Sequence, residues 1–216
     1  MNAISFLRNP IQDYAWGSRS AIQSLLKMPV PGTTPAAELW MGVHPKGPSE
    51  VCVNGEWMSL VNVIEKNPES VLGKKVAERF QNQLPFLFKV LAADRPLSIQ
   101  VHPDMAQAQE GYARENRLGF PLTAAKRNYR DPNHKPEALC AITPFEALKG
   151  FRKIEEIVDL MKTVCIPELE EPLYLLEKKT TPDGLKAFFS GLLQLSGDEK
   201  GRVIHQAIRR AQEHVN

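Results

Sequence analysis

Near Gly150 the hydrophobic period of this chain changes, and no single type of secondary structure can serve both sides of the change. Before it, apolar runs of strand length alternate with short helical stretches. Strands are predicted at residues 37–43, 49–53, 84–92, 97–102 and 138–142. Asn54-Gly55 marks a hairpin turn, and the Pro29-Val-Pro-Gly32 and Thr33-Thr-Pro35 stretches mark a loop. Helices are predicted at 20–27, 59–66 and 69–80. A further helix starts at Asp104, where Gln107 completes a capping-box pattern, and runs to Arg117 before Gly119 and Pro121 stop it. Beyond Gly150, Ile154, Ile157, Val158, Met161 and Val164 recur at helical spacing, as do Ile204, Ala207, Ile208, Ala211 and Val215. Residues 173–178 and 185–195 are helical by composition. The expectation is a mainly β part with some α over residues 1–150, then an all-helical module over 151–216.

Composition excludes several functions. At 216 residues the chain can bury one sizeable core, with room for a small second domain. A formal net charge of +2, with Lys and Arg dispersed, offers no stripe for nucleic acid. No apolar run is long enough to cross a bilayer, and Arg8, Asp13 and Arg19 interrupt what would be a signal core. A cytoplasmic location is the expectation. Cys52, Cys140 and Cys165 form no C-x-x-C pair, so neither a disulfide framework nor a thiolate metal site is expected, and the thiols read as reduced and partly buried. No phosphate-cradling glycine loop is present, which disfavours nucleotide chemistry.

The chemistry concentrates in Pro96-Leu-Ser-Ile-Gln-Val-His-Pro-Asp104 and in Asn133-His-Lys-Pro-Glu137. On a strand, Gln100 and His102 project from one face. Glu137 precedes another apolar run, so a neighbouring strand could bring its carboxylate to the same point. Amide oxygen, imidazole nitrogen and carboxylate make a mixed donor set suited to a divalent transition metal such as zinc. Lys89 ends the apolar stretch Leu84-Pro-Phe-Leu-Phe-Lys89, where lost hydration would either lower its pKa or demand an anionic partner.

Five motifs occur in order: Tyr14-Ala-Trp-Gly-Ser18, Ala37-Glu-Leu-Trp-Met-Gly-Val-His-Pro45, Leu84-Pro-Phe-Leu-Phe-Lys-Val90, Leu97-Ser-Ile-Gln-Val-His-Pro103 and Asp131-Pro-Asn-His-Lys-Pro-Glu137. Together they resemble the type I mannose-6-phosphate isomerases, a zinc-dependent family of the cupin superfamily, from about Ile4 to about Phe151. The resemblance implies a cupin-type jelly-roll lobe, incomplete here, carrying one zinc ion on Gln100, His102 and Glu137. It implies interconversion of mannose 6-phosphate and fructose 6-phosphate through an enediol or enediolate. A zinc ion with a single anionic ligand keeps much of its Lewis acidity for that step.

The resemblance also places Lys135, His134 and Lys89 at the pocket as acid-base candidates. Glu38 and Trp16 would line it, as a carboxylate for sugar hydroxyls and an aromatic wall. Ser98, on the face of Gln100, is a candidate contact for the substrate phosphate, and Lys126, Arg127 and Arg130 form a basic loop that could attract it. The family's fourth zinc ligand is a histidine from a later part of the chain. His205 and His214 do not match that motif and read as surface residues, so a missing C-terminal part of the same protein is expected to complete the site. Two other readings stand beside this one. A non-catalytic cupin-like sugar-phosphate-binding or regulatory fragment would keep three ligands without a finished site. A metal-dependent dioxygenase cupin fits less well, because such sites generally use more histidines.

Overall fold

Short strands broken by glycine and polar turns build the first part of the chain in the computed structural model, which describes residues 4–214. In order they are β1 (Leu7–Arg8), β2 (Ile11–Gln12), β3 (Glu38–Met41), β4 (Val43–His44), β5 (Gly47–Pro48), β6 (Glu50–Val53), β7 (Glu56–Ser59) and β8 (Phe88–Leu91). All pairings are antiparallel and make three small sheets, β1-β6-β7, β2-β3-β8 and β4-β5. The β6–β7 hairpin turns on Asn54 and Gly55, both at positive φ (52° and 88°), as a tight two-residue turn requires. Between strands lie the short helices α1 (Ala21–Leu25), α2 (Leu60–Lys66), α3 (Pro68–Leu72) and α4 (Lys74–Arg79).

The β2-β3-β8 sheet separates the core from the polar residues. Leu39 pairs with Val90 and Trp40 with Lys89, so the two-residue period assigns each pair to opposite faces. Leu39, Met41 and Val90 join Ile22, Ala36 and Ala92 in the core. Glu38, Trp40 and Lys89 take the other face. Close approach holds this sheet in place: a Cβ on Gly17 would lie 2.6 Å from Ala37. Ser49, fully buried, ties the sheets together, because its hydroxyl accepts from the Gly42 N–H (3.0 Å) and donates to Asn9 Oδ1 (2.8 Å).

Helix α5 (Met105–Arg117) opens with the expected capping box: the Asp104 carboxylate accepts from the Gln107 N–H at 2.8 Å, and Gln107 Oε1 accepts from the Asp104 N–H at 3.2 Å. Its last turns carry a buried polar cluster. Glu115 accepts from the backbone of Asn128 (3.1 Å) and Tyr129 (2.9 Å), while Arg127 donates to Tyr129 O (2.7 Å), Phe120 O (2.5 Å) and Asn116 Oδ1 (2.7 Å). Above all the Tyr129 N–H, then Asn128 and Arg127, hold the Glu115 carboxyl below its ordinary 4.5, against the opposing effect of burial. Arg127 is therefore no part of a phosphate-gathering basic loop; its side chain is 1% exposed.

Several sequence expectations change. Residues 97–102 and 138–142 form no strand; Ile99 is 83% and Val101 90% exposed. Alternation specifies which side chains would share a face, but a strand needs a partner edge, and none of the described residues pairs with either segment. Gly73, at φ 81°, splits the helix expected over 69–80 into α3 and α4. Gly42 likewise ends β3 before β4.

The chain divides into two units, the first ending at Glu137 and the second beginning at Ala138. In the second, α6 (Ile154–Val164), a 3-10 turn (Pro167–Leu169), α7 (Glu170–Lys178), α8 (Pro182–Gln194) and α9 (Gly197–Gln212) are the regular elements among the described residues. Their apolar faces meet in two clusters, around Leu176 and Phe188 and around Ile166 and Val203. Val215 lies outside the described residues. None of the described helices is long and apolar enough to cross a membrane. All three cysteines are free, with Cys52 half-buried and Cys140 and Cys165 exposed.

Ser49→Ala should leave the Gly42 donor and the Asn9 acceptor without their buried partner. The expected loss is about 1–3 kcal/mol in a urea titration; a loss near zero would remove Ser49 as the tie between sheets.

Candidate active site

On the polar face of the β2-β3-β8 sheet, one carboxylate oxygen gathers two donors. Glu38 Oε2 accepts from Trp40 Nε1 at 2.6 Å and lies 3.3 Å from Lys89 Nζ. The pairing follows from the register, since Glu38 and Trp40 are two residues apart on β3 and Lys89 stands opposite Trp40 on β8. Lys89 thus has the anionic partner that its apolar surroundings demand, and its Nζ sits 5.3 Å from the centre of the Trp40 ring.

A second group forms where residues 102 and 137 meet. His102 Nε2 lies 3.5 Å from Glu137 Oε2, and the other oxygen of that carboxylate lies 3.4 Å from Lys135 Nζ. His102 Nε2 is shut off from solvent and has no hydrogen-bond partner. An orphaned, occluded imidazole nitrogen beside a carboxylate oxygen is poised to receive a cation. The spacing fits zinc. Two donors bound at about 2.0–2.1 Å to one tetrahedral zinc ion stand about 3.3 Å apart, close to the separation here. Among the described residues no group of three His, Cys, Asp or Glu side chains could hold a metal, so a third donor from among them would be of another type, such as an amide.

His44 links the two groups. Its ring packs edge-on against Trp40 at 4.5 Å, and its Nδ1 accepts from the Lys46 N–H at 3.1 Å, which leaves that nitrogen unprotonated. Burial lowers its pKa first, and the charges of Lys46, Lys89 and Lys135 add to the effect, while Asp131 opposes it. Lys89 from the sheet and Lys135 from the loop therefore both act on one imidazole. Tyr14, stacked on Trp16 at 5.7 Å, feels the same site: burial raises its pKa, and the Glu38 and Asp13 charges raise it further.

Of the residues singled out from sequence, His102, Glu137 and Lys135 come together, as do Glu38 and Lys89. Trp16 is half-buried behind Tyr14. Gln100, Ser98 and His134 are exposed, and none has a hydrogen-bond or ion-pair partner among the described residues. His205 and His214 are exposed on and just after α9. Sequence reasoning missed the roles of Trp40 and His44. Trp40 was within reach of the two-residue period from Glu38; His44 was not, because Gly42 breaks the alternation before it.

Comparison with known proteins places the chain in a family. Residues 4–154 match the family model described as phosphomannose isomerase type I, catalytic domain. The chain is 46% identical over 199 residues to the mannose-6-phosphate isomerase of Salmonella typhimurium, a match covering 92% of this chain and 50% of that protein. It is 41% identical over 169 residues to the human mannose-6-phosphate isomerase, covering 74% and 37% respectively. A solved zinc-bound mannose 6-phosphate isomerase superposes with a TM-score of 0.87 at 43% identity, over 98% of this chain and 53% of that one. The Salmonella typhimurium enzyme bound to fructose 6-phosphate and zinc gives the same values. The chain belongs to the type I phosphomannose isomerase family, and it spans about half the length of the curated relatives it matches.

The linkage of His44 to Lys135 gives a pH signature. Its folded-state pKa lies below the ordinary 6.5, so the unfolded chain takes up the proton first. The associated stability is complete above 6.5 and falls as the pH drops through that value. In an NMR titration Lys135→Ala should raise the His44 pKa towards 6.5; an unmoved His44 would place Lys135 away from the sheet residues.

Proposed function

We propose that this member of the type I phosphomannose isomerase family carries the metal and proton-transfer part of a zinc-dependent aldose-ketose isomerase acting on mannose 6-phosphate and fructose 6-phosphate. The observation that supports it most directly is the orphaned His102 Nε2, 3.5 Å from Glu137 Oε2, at a zinc-like spacing. Solved relatives hold zinc, and one holds fructose 6-phosphate with it. His102 and Glu137 would hold the metal, with the amide oxygen of Gln100, exposed here, as the third donor. The curated relatives are about twice as long, so a further ligand would come from sequence beyond this half, and the small sheets here would form part of a cupin jelly roll.

Bound zinc would supply electrophilic stabilisation of the sugar oxygen on which negative charge develops as a proton moves between C1 and C2. The protein's part is to hold the sugar and carry that proton. Lys135 Nζ, 3.4 Å from the ligand carboxylate, would be a proton carrier beside the metal, and His134 on the same exposed loop would relay to solvent. Glu38 keeps Lys89 extended on the sheet face, where its ammonium can meet an anionic group of the substrate. Trp40 and His44 would form an aromatic wall beside it. Trp16 and Ser98 would complete the substrate contacts, Trp16 through its stack with Tyr14 and Ser98 through its hydroxyl.

His102→Ala should abolish zinc retention while leaving the circular dichroism spectrum unchanged. In the zinc-loaded enzyme, Lys135→Ala should lower kcat by about 10²-fold or more with little change in Tm. A coupled isomerase assay decides the matter: full turnover in the Lys135 variant would remove it from the reaction, and fructose 6-phosphate binding without any turnover in the parent would make the chain a binding module.

A further inference from the structure

We propose that Arg127 and Glu115 are positioning residues of the metal site, and that their buried cluster sets the separation of His102 and Glu137. The proposal rests on the metal reading of those two residues. The chain path makes the connection. Asp104, two residues after His102, caps α5, and the far end of that helix supplies Glu115 and Asn116. Those side chains grip residues 127–129, and eight residues beyond Tyr129 the chain reaches Glu137. The circuit closes where His102 Nε2 meets Glu137 Oε2 at 3.5 Å. Residues 131–137 are exposed and belong to no regular element, so the position of Glu137 is inherited from the point where the loop is fastened.

That fastening is made at several points. Arg127 uses three nitrogens on three acceptors, Tyr129 O, Phe120 O and Asn116 Oδ1, and its Nε lies 3.8 Å from Glu115 Oε2. A planar fork with three fixed acceptors sets orientation as well as distance, which a lysine cannot do. A buried ion pair is a weak source of stability compared with well-packed apolar residues, which leaves geometry as the role we assign it here. The Tyr129 ring seats on α5 at Gly111, where a Cβ would lie 2.5 Å from the ring atoms. Neither Arg127 nor Glu115 touches the ligands, so they act through the loop. Metal sites tolerate only about 0.2 Å of error in ligand distance, so slack at residues 127–129 is felt at Glu137.

The test uses the full chain with zinc alone as probe, its affinity measured by competition with a chromogenic chelator. Hydrogen exchange over residues 128–137 and Tm are read in parallel. Arg127→Lys and Gly111→Ala loosen the cluster from opposite sides, and should weaken zinc binding by about tenfold or more while speeding exchange over 128–137. Val203→Ala, in the buried cluster of the helical unit, should lower Tm without changing zinc affinity. Should Arg127→Lys fail to fold, Gly111→Ala carries the test. Faster exchange with unchanged zinc affinity overturns the proposal and leaves the metal reading intact, and so does an equal loss of affinity in Val203→Ala. Wild-type zinc affinity in His102→Ala overturns the metal reading and this proposal with it.

Discussion

The antiparallel register of β3 against β8 is the constraint on which the first unit depends. With Leu39 opposite Val90 and Trp40 opposite Lys89, one face of the sheet is wholly apolar and the other carries Glu38, Trp40 and Lys89. A slip of one residue would turn one strand over against the other, driving either the Glu38 carboxylate or the Lys89 ammonium into the core and exposing either Leu39 and Met41 or Val90. Core and polar face are therefore specified by the same pairing. The polar face cannot be altered independently of the fold, because each of its residues on β3 and β8 adjoins a core residue along the strand.

Two buried acids in this unit solve the same problem differently. Glu38 is neutralised by a single lysine and an indole N–H, an arrangement with one mobile member, since Lys89 remains about a quarter exposed. Glu115 is held mainly by backbone N–H groups, with Arg127 beside it, and neither side chain has freedom to leave. The first arrangement suits a surface that must meet a ligand. The second suits a joint.

The sequence was most informative where a local rule acts alone. The Asp104 capping box, the Asn54-Gly55 turn and the helical spacing after Ile154 all depend on residues within a few positions of one another, and all appear in the structure. Residues 97–102 and 138–142 had good strand patterns and no pairing partner among the described residues, a fact that no property of either segment contains. The site divides along the same line. His102, Lys135 and Glu137 were legible as chemistry, and Glu38 and Lys89 as motif members. Their ion pair, and the placing of Trp40 and His44 beside it, follow from a register between segments some fifty residues apart. Arg127 was misread because its neighbours Lys126 and Arg130 made it look like part of a charged surface; its acceptors lie on a helix end and a turn that only the fold brings round it.

The unpaired stretch through Ile99 and Val101 bears on how the molecule behaves in a crowded solution. Two β-branched residues, 83% and 90% exposed, sit in a segment with open backbone donors and acceptors, and Ile142 (85%) and Leu148 (89%) add further apolar surface downstream. Such a stretch is a template for any free strand edge, including that of a second copy. With a formal net charge of only +2, long-range repulsion between copies is slight. These four exposed side chains thus weigh on the colloidal fate of the chain, and solubility becomes in part a question of what covers them before another molecule does.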